Sequence, residues 1–288
     1  MSGSKAEAGG GATPRRVCAG ADRWHAPPSV SKIRLDQLLL ARGLAPSRAR
    51  AQAIILAGDV FVGGQRVDKA GTLVDEGAAL ELRGGDHPFV SRGGVKLAGA
   101  LDAFALSASG LRCLDLGAST GGFTDCLLQR GASRVVAVDV GYGQLAHRLR
   151  TDPRVVVLER TNARALQPEA IGGPADLTVV DASFIGIAQL VPAIARCTRE
   201  GGELVALVKP QFEVGREEAS RGKGVVRDED VRREAVERAL AAIRSGGDPS
   251  GEGFTILGQA DCVLPGPKGN REVFVRARRT ERAGPPSL

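Results

Sequence analysis

Leu114-Asp115-Leu116-Gly117-Ala118-Ser119-Thr120-Gly121-Gly122-Phe123-Thr124 is an apolar run that meets an acid and then breaks into small residues, and Val138-Asp139 follows it. Small residues at a strand end let the backbone approach a ligand closely, and the next helix aims its N-terminal amides at the same place. An acid at the tip of the following strand can hold ribose hydroxyls. Asp139 lies about 20 residues beyond Gly117, the spacing that role requires. The stretch therefore reads as a nucleotide pocket. Its turn is G-A-S-T-G-G rather than G-x-G-x-x-G, which disfavours a hydride-transferring dinucleotide enzyme.

Outward from this turn the chain alternates strand and helix. Strands are expected at Arg112 to Leu116, Arg134 to Val140, Val155 to Leu158, Leu177 to Asp181 and Glu203 to Lys209, with amphipathic helical stretches between them. A helix over Val231 to Ile243 puts Val231, Ala235, Ala239 and Leu240 on one face, and two last strands cover Phe254 to Gln259 and Glu272 to Arg276. Such alternation gives an α/β fold, a doubly wound and mostly parallel sheet with ligands at the strand C-termini. Strand four ends in Val179-Val180-Asp181-Ala182-Ser183-Phe184 and strand five in Leu207-Val208-Lys209-Pro210-Gln211-Phe212-Glu213, so Asp181 and Lys209 should converge beside the turn. An acid and a lysine meeting there can manage a hydroxyl proton.

The N-terminal third is organised differently. Residues 1–30, rich in Gly, Ala, Ser and Pro, read as a disordered tail. Leu35, Leu38 and Leu39 form a helical apolar face ending at Gly43, and a second short helix is expected from Ser47 to Gly58. Val60-Phe61-Val62 and Gln65-Arg66-Val67 flank Gly63-Gly64 as a hairpin, and Leu80-Glu81-Leu82 supplies a later strand. This compact α+β unit occupies residues 31–84, with residues 85–91 as a linker, a catalytic domain over 92–280 and a short tail over 281–288. Between residues 31 and 70, Lys32, Arg34, Arg42, Arg48, Arg50, Arg66 and Lys69 face only Asp36, Asp59 and Asp68, so a phosphate backbone could be met there.

Composition narrows the classes. The 288 residues carry a formal net charge of +6, which favours a polyanionic partner, while aromatics at 3% leave few base-stacking platforms. Five scattered cysteines without a C-x-x-C pair indicate neither a disulfide framework nor a metal site, and Cys113 and Cys126 read as buried thiols. No apolar segment approaches the length of a membrane span and no signal core opens the chain, so a cytoplasmic protein without a membrane role is expected.

Arg34-Leu35-Asp36, Gly43-Leu44, Ser47-Arg48 and Gly58-Asp59-Val60-Phe61-Val62 resemble the RNA-binding domain named after ribosomal small-subunit protein four. Gly63 departs from that pattern, where an asparagine is usual. From Ser91 onward, five runs in order carry a second resemblance. They are Ser91-Arg92-Gly93-Gly94-Val95-Lys96-Leu97, the Asp115 to Thr124 turn, Val180-Asp181-Ala182-Ser183-Phe184, Lys209-Pro210-Gln211-Phe212-Glu213 and Gly269-Asn270-Arg271-Glu272-Val273-Phe274. They resemble the FtsJ-type RNA ribose methyltransferases, and the two domains joined in this order resemble the TlyA (hemolysin A) family.

The resemblance implies a Rossmann-like S-adenosylmethionine methyltransferase domain that 2′-O-methylates ribose, of cytidine, in the RNA of ribosomal subunits. It implies a catalytic set of Lys96, Asp181, Lys209 and Glu272, and puts Gly117, Ser119, Gly121, Phe123, Asp139, Asn162 and Asp181 around S-adenosylmethionine. Asn162 stands where related enzymes carry an acid. Arg34, Arg48, Arg50 and Lys223 are the expected RNA contacts, Lys223 within a segment, Gly215 to Val226, that should order on RNA. Lysine is a poor base unless burial or a neighbouring cation lowers its pKa, and Lys96 beside Lys209 would supply that cation. Whether Lys209 is a true base or an orienting group stays open at this level. Phe89-Val90 is expected to dock and couple the two domains. The alternative function is a non-catalytic RNA-binding or ribosome-assembly factor on the same fold. A membrane-lysing role, suggested by the hemolysin name, finds no signal peptide or spanning segment in the sequence.

Overall fold

The computed structural model describes residues 31–45, 47–56, 58–82, 87–214, 224–247, 253–266 and 269–281. The expected N-terminal tail and Lys223 lie outside the described residues.

In the N-terminal module, β1 (Lys32–Arg34) leads into α1 (Leu35–Ala41), followed by α2 (Arg48–Leu56), β2 (Val60–Val62), β3 (Gln65–Arg66), β4 (Leu73–Asp75) and β5 (Leu80–Leu82). Leu35, Leu38 and Leu39 of α1 close on Ala51 and Ile55 of α2 and on Val60 and Val74, as their helical spacing requires. The sheet order is β3-β2-β5, and β2 and β3 pair directly across Gly63-Gly64, both of which adopt positive φ. That two-residue turn is the one a right-twisted hairpin prefers, and glycine fits it as well as asparagine would. Sequence periodicity did not show the β1–β4 ribbon, which pairs Ile33 with Val74 and places Asp36 in the interior. Strands of three residues are too short to display alternation.

Asp36 is fully buried and accepts hydrogen bonds from Arg34 Nε and Nη2 (both 3.0 Å), Arg48 Nε (3.1 Å) and Gln52 Nε2 (3.1 Å). The Arg34 guanidinium holds its carboxyl well below the usual range, against the opposing effect of burial. Arg34 and Arg48, read from sequence as RNA contacts, thus also clamp β1, α1 and α2 together. Arg50 points elsewhere, donating to the Phe89 carbonyl at 3.4 Å.

The larger domain is a seven-stranded sheet. It contains β6 (Arg112–Leu116), β7 (Arg134–Val138), β8 (Val155–Leu158), β9 (Ala175–Val180), β10 (Thr198–Val208), β11 (Phe254–Asp261) and β12 (Val273–Arg279), in the order β11-β12-β10-β9-β6-β7-β8. The parallel part, β6 to β10, is doubly wound as expected. The alternation of strands and helices does not reveal that β12 runs antiparallel and inserts between β10 and β11. Alternate residues of each strand enter two cores. Leu114, Leu116, Val136 and Val180 pack beneath α6 (Val191–Cys197) and the 229–245 helix, while Cys113, Val135 and Val179 pack beneath α3 (Gly93–Ala103) and α4 (Gly122–Gln129). Burial pushes the Cys113 and Cys126 thiols up to about 12, which fits inert core residues.

The helical layer is thinner than expected around β8. Only α5 (His147–Arg150) and two 3-10 turns, Ala163–Ala165 and Pro168–Ile171, flank this edge strand, whose half-buried residues offer less apolar surface to cover. After β10 come α7 (Pro210–Glu213) and α8 (Glu229–Ser245); Asp228 caps α8 by accepting from Asp230 N–H and Val231 N–H. Among the described residues no helix is long and apolar enough to cross a membrane.

Removing the buried carboxylate should loosen the N-terminal module. Asp36→Ala strips charge-assisted hydrogen bonds from Arg34 and Arg48 and is expected to cost about 2 kcal/mol. Calorimetry should show a lowered Tm for this module with the methyltransferase transition unchanged.

Candidate active site

The parallel order reverses between β6 and β9, and the cavity opens there, beyond the carboxyl ends of both strands. It measures about 760 Å³ and is lined by residues including Ser91, Arg92, Lys96, Gly117, Ser119, Phe123, Asp181, Lys209, Gln211 and Glu272. Gly117 turns the chain at the tip of β6 with φ +87, and a Cβ there would stand 2.7 Å from the Asp181 carbonyl oxygen. Only glycine allows β6 and β9 to approach so closely at this point. Gly121, in the left-handed region, then caps α4. Ser119 N–H donates to Asp139 Oδ2 at 2.8 Å and Gly141 N–H to Asp139 Oδ1 at 2.7 Å, so Asp139 ties the β6 turn to the β7 tip.

Register explains how the charged groups gather. Val208, the last residue of β10, pairs with Val273, the first of the antiparallel β12, so Lys209 and Glu272 leave the sheet side by side. The first turn of α3 brings in Lys96. Lys96 Nζ lies 2.5 Å from Glu272 Oε2, with side chains 7% and 1% exposed. Lys209 Nζ is 2.6 Å from Asp181 Oδ1 and donates to Ser183 Oγ at 2.8 Å. All four residues line one cavity. Each lysine has a carboxylate as its immediate partner. Burying two ammonium groups together would leave both charges uncompensated, whereas paired charges largely offset one another.

Other sequence-derived residues fall as follows. Phe123 is buried, packs against Phe274 with ring centroids 6.1 Å apart, and also lines the cavity. Asp139 and Asn162 are not lining residues; Asn162 is exposed and caps a 3-10 turn by accepting from Arg164 N–H at 3.1 Å. Phe89 and Val90 are buried, and Val90 N–H donates to Asp125 Oδ2 at 2.7 Å, which fastens the segment before α3 onto α4.

Several residues escaped sequence reasoning. Phe184 is 92% exposed at the cavity rim with φ +66, its ring 5.5 Å from that of Phe212. An aromatic after a strand tip carried the signal, but nothing in the pattern distinguished it from a core residue. Buried Asn270 donates to the Gly224 carbonyl at 2.8 Å and accepts from Val226 N–H at 2.9 Å, pinning the chain just before α8. Asp115 sits fully buried beneath the glycine turn and accepts from Thr124 Oγ1 at 2.6 Å, while its Oδ1 has no partner. Burial pushes its carboxyl up to about 7; the Thr124 hydrogen bond opposes this and the Asp181 charge adds to it.

Comparison with known proteins agrees with this architecture. The FtsJ-like methyltransferase family matches residues 89–279, and the S4 domain matches residues 33–80. The chain is 50% identical over 254 residues to the 16S/23S rRNA (cytidine-2'-O)-methyltransferase TlyA of Mycobacterium tuberculosis, covering 88% of this chain and 92% of that protein. Hemolysin A of Brachyspira hyodysenteriae is 39% identical, with 83% and 97% covered. The solved structure of a hemolysin-named protein from Streptococcus thermophilus superposes with a TM-score of 0.66 at 39% identity, covering 88% of this chain and 90% of its own. The chain belongs to the FtsJ-like methyltransferases and, within them, to the TlyA family.

The Asp115 carboxyl gives a pH signature. A carboxyl whose folded pKa is raised supports the fold fully below the ordinary carboxylate value and loses that support as pH rises through about 7. Asp115→Asn stays neutral, so its Tm relative to the parent should be higher at about pH 8 than at about pH 5. A Tm difference independent of pH would contradict this assignment.

Proposed function

We propose that the protein transfers a methyl group from S-adenosylmethionine to the ribose 2′-hydroxyl of cytidine in ribosomal RNA, in the cytoplasm. The reading rests on the Lys96, Asp181, Lys209 and Glu272 cluster at the mouth of the glycine turn, within a chain half identical to a relative named for that reaction. It assigns residues 31–84 to RNA binding, 85–91 to the linker and 92–280 to catalysis.

The cradle suits the methyl donor. A side chain at Gly117 would fill the space between the tips of β6 and β9, and the turn lines the cavity with Gly117 and Ser119, while Gly121, assigned to the cofactor as well, caps α4 against Leu145 and Leu149. Asp139 has oxygen lone pairs left beyond its two amide donors for ribose hydroxyls, and the reading assigns Asn162 to the adenine. When bound, S-adenosylmethionine supplies an electrophilic methyl on a sulfonium.

The chain must align and deprotonate a weak nucleophile. Lys209 contacts the hydroxyl, and the Lys209–Asp181 pair takes up its proton as the oxygen–carbon bond forms. Ser183 fixes the Lys209 side chain from a second direction. Glu272 holds Lys96 in the same cavity, where its ammonium offsets the charge developing on the oxygen. The exposed Phe184 ring offers its face to the target base, a contact worth about 1–3 kcal/mol for stacked bases.

Two experiments bear on this. Lys209→Ala should lower transfer of labelled methyl to isolated ribosomal subunits by at least about a hundredfold while S-adenosylmethionine affinity is retained. A non-catalytic assembly factor would keep its cellular role in that variant. Phe184→Ala should raise KM for RNA about tenfold without altering cofactor binding, as steady-state kinetics would show.

A further inference from the structure

The cavity around the catalytic cluster extends beyond the methyltransferase domain. Arg66 and Asp68, from the hairpin region of the N-terminal module, line it together with Arg92 at the start of α3. The Arg66 guanidinium lies against the backbone of Gly58, where any Cβ would collide with it, and its Nε is buried without a hydrogen-bond partner. Arg92 is half-buried and has no ion pair or hydrogen bond from its side chain among the described residues. Burial, and then the charge of Arg92, push the Arg66 guanidinium below its ordinary value, while Asp68 and Asp59 pull the other way. Nearby Asp59 is a poor counterion, since burial raises its carboxyl above the ordinary range and leaves its Oδ1 unpartnered.

Charge accounting singles out these two arginines. Lys96 and Lys209 each already have a carboxylate at contact distance, so the catalytic cluster carries no spare cation. Arg66 and Arg92 are the lining cations without a carboxylate at ion-pair distance among the described residues, and the charge of Arg92 acts on Arg66. Two like-charged guanidinium groups that line one cavity repel unless an anion lies between them. Their planar forks match the paired oxygens of a phosphate.

We infer that Arg66 and Arg92 together hold a phosphodiester of the RNA chain adjacent to the ribose that is methylated. This rests on the function proposed above. In RNA the 2′-oxygen and the 3′-phosphate sit on neighbouring ribose carbons, so a 2′-hydroxyl delivered to Lys209 carries a phosphate toward the cavity wall formed by the arginines. Because Arg66 belongs to the N-terminal module, that module completes the substrate site and does more than anchor RNA at a distance. Arg66 acts as a positioning residue, and the module must be seated against the methyltransferase domain for the phosphate to be held.

The test compares the full-length parent with Arg66→Gln and Arg66→Lys in methyl transfer to ribosomal subunits between about 50 and 200 mM salt, with S-adenosylmethionine affinity measured by calorimetry. Arg66→Gln should raise KM for RNA about tenfold and flatten the slope of log(kcat/KM) against log[salt] by about 0.7–0.9, one phosphate contact, with cofactor affinity unchanged. Arg66→Lys should restore the salt slope, which a packing role for Arg66 would not produce. If the parent labels RNA and Arg66→Gln keeps both its KM and its salt slope, the phosphate contact is overturned and the function stands. If the parent binds S-adenosylmethionine and labels no RNA, the function fails and the contact with it.

Discussion

The antiparallel ladder between β10 and β12 is the constraint on which the site depends. A seventh strand running parallel would begin at the far edge of the sheet, and Glu272 would lie a strand's length away from the ligand crevice. Because β12 runs the other way, its first residue opposes the last residue of β10, and Lys209 and Glu272 emerge together. β12 also pairs the edge of β10 from Glu203 to Val208, so function and sheet closure use the same register. Shifting that register by one residue would turn Glu272 to the other face.

Charge pairing is the second organising element. Burying four ionisable side chains in one cavity is costly, and the cost is contained because they form two contact pairs, Lys96 with Glu272 and Lys209 with Asp181. The same logic operates in the N-terminal module, where Asp36 is tolerated in the interior because Arg34, Arg48 and Gln52 converge on it. A basic surface patch read from composition is thus partly a set of structural clamps. Arg66 and Arg92 stand apart as cavity cations without such a partner among the described residues.

Much of this was legible in the sequence where a local pattern repeats. The strands Arg112–Leu116 and Val155–Leu158 fall at the positions their apolar runs indicate, and α8 extends the Val231 to Ile243 periodicity by one short step at each end. The spatial meeting of Lys96, Asp181, Lys209 and Glu272 was accessible only through the order of the motifs, since residues 176 positions apart share no local signal. The β1–β4 ribbon, the antiparallel placement of β12 and the contribution of Arg66 to the cavity were not legible. Each is a nonlocal pairing that short strands or a hairpin tip do not announce. The ion partner of each lysine was likewise decided by packing, which sequence spacing does not encode.

The central claim is that this cavity places a ribose 2′-hydroxyl of ribosomal RNA before S-adenosylmethionine. Nuclease digestion and mass spectrometry of ribosomal RNA from subunits incubated with the purified protein and S-adenosylmethionine tests it directly. A gain of 2′-O-methylcytidine at a discrete position is expected. RNA that gains no methyl group, or gains it on a base instead of a ribose, would contradict the account.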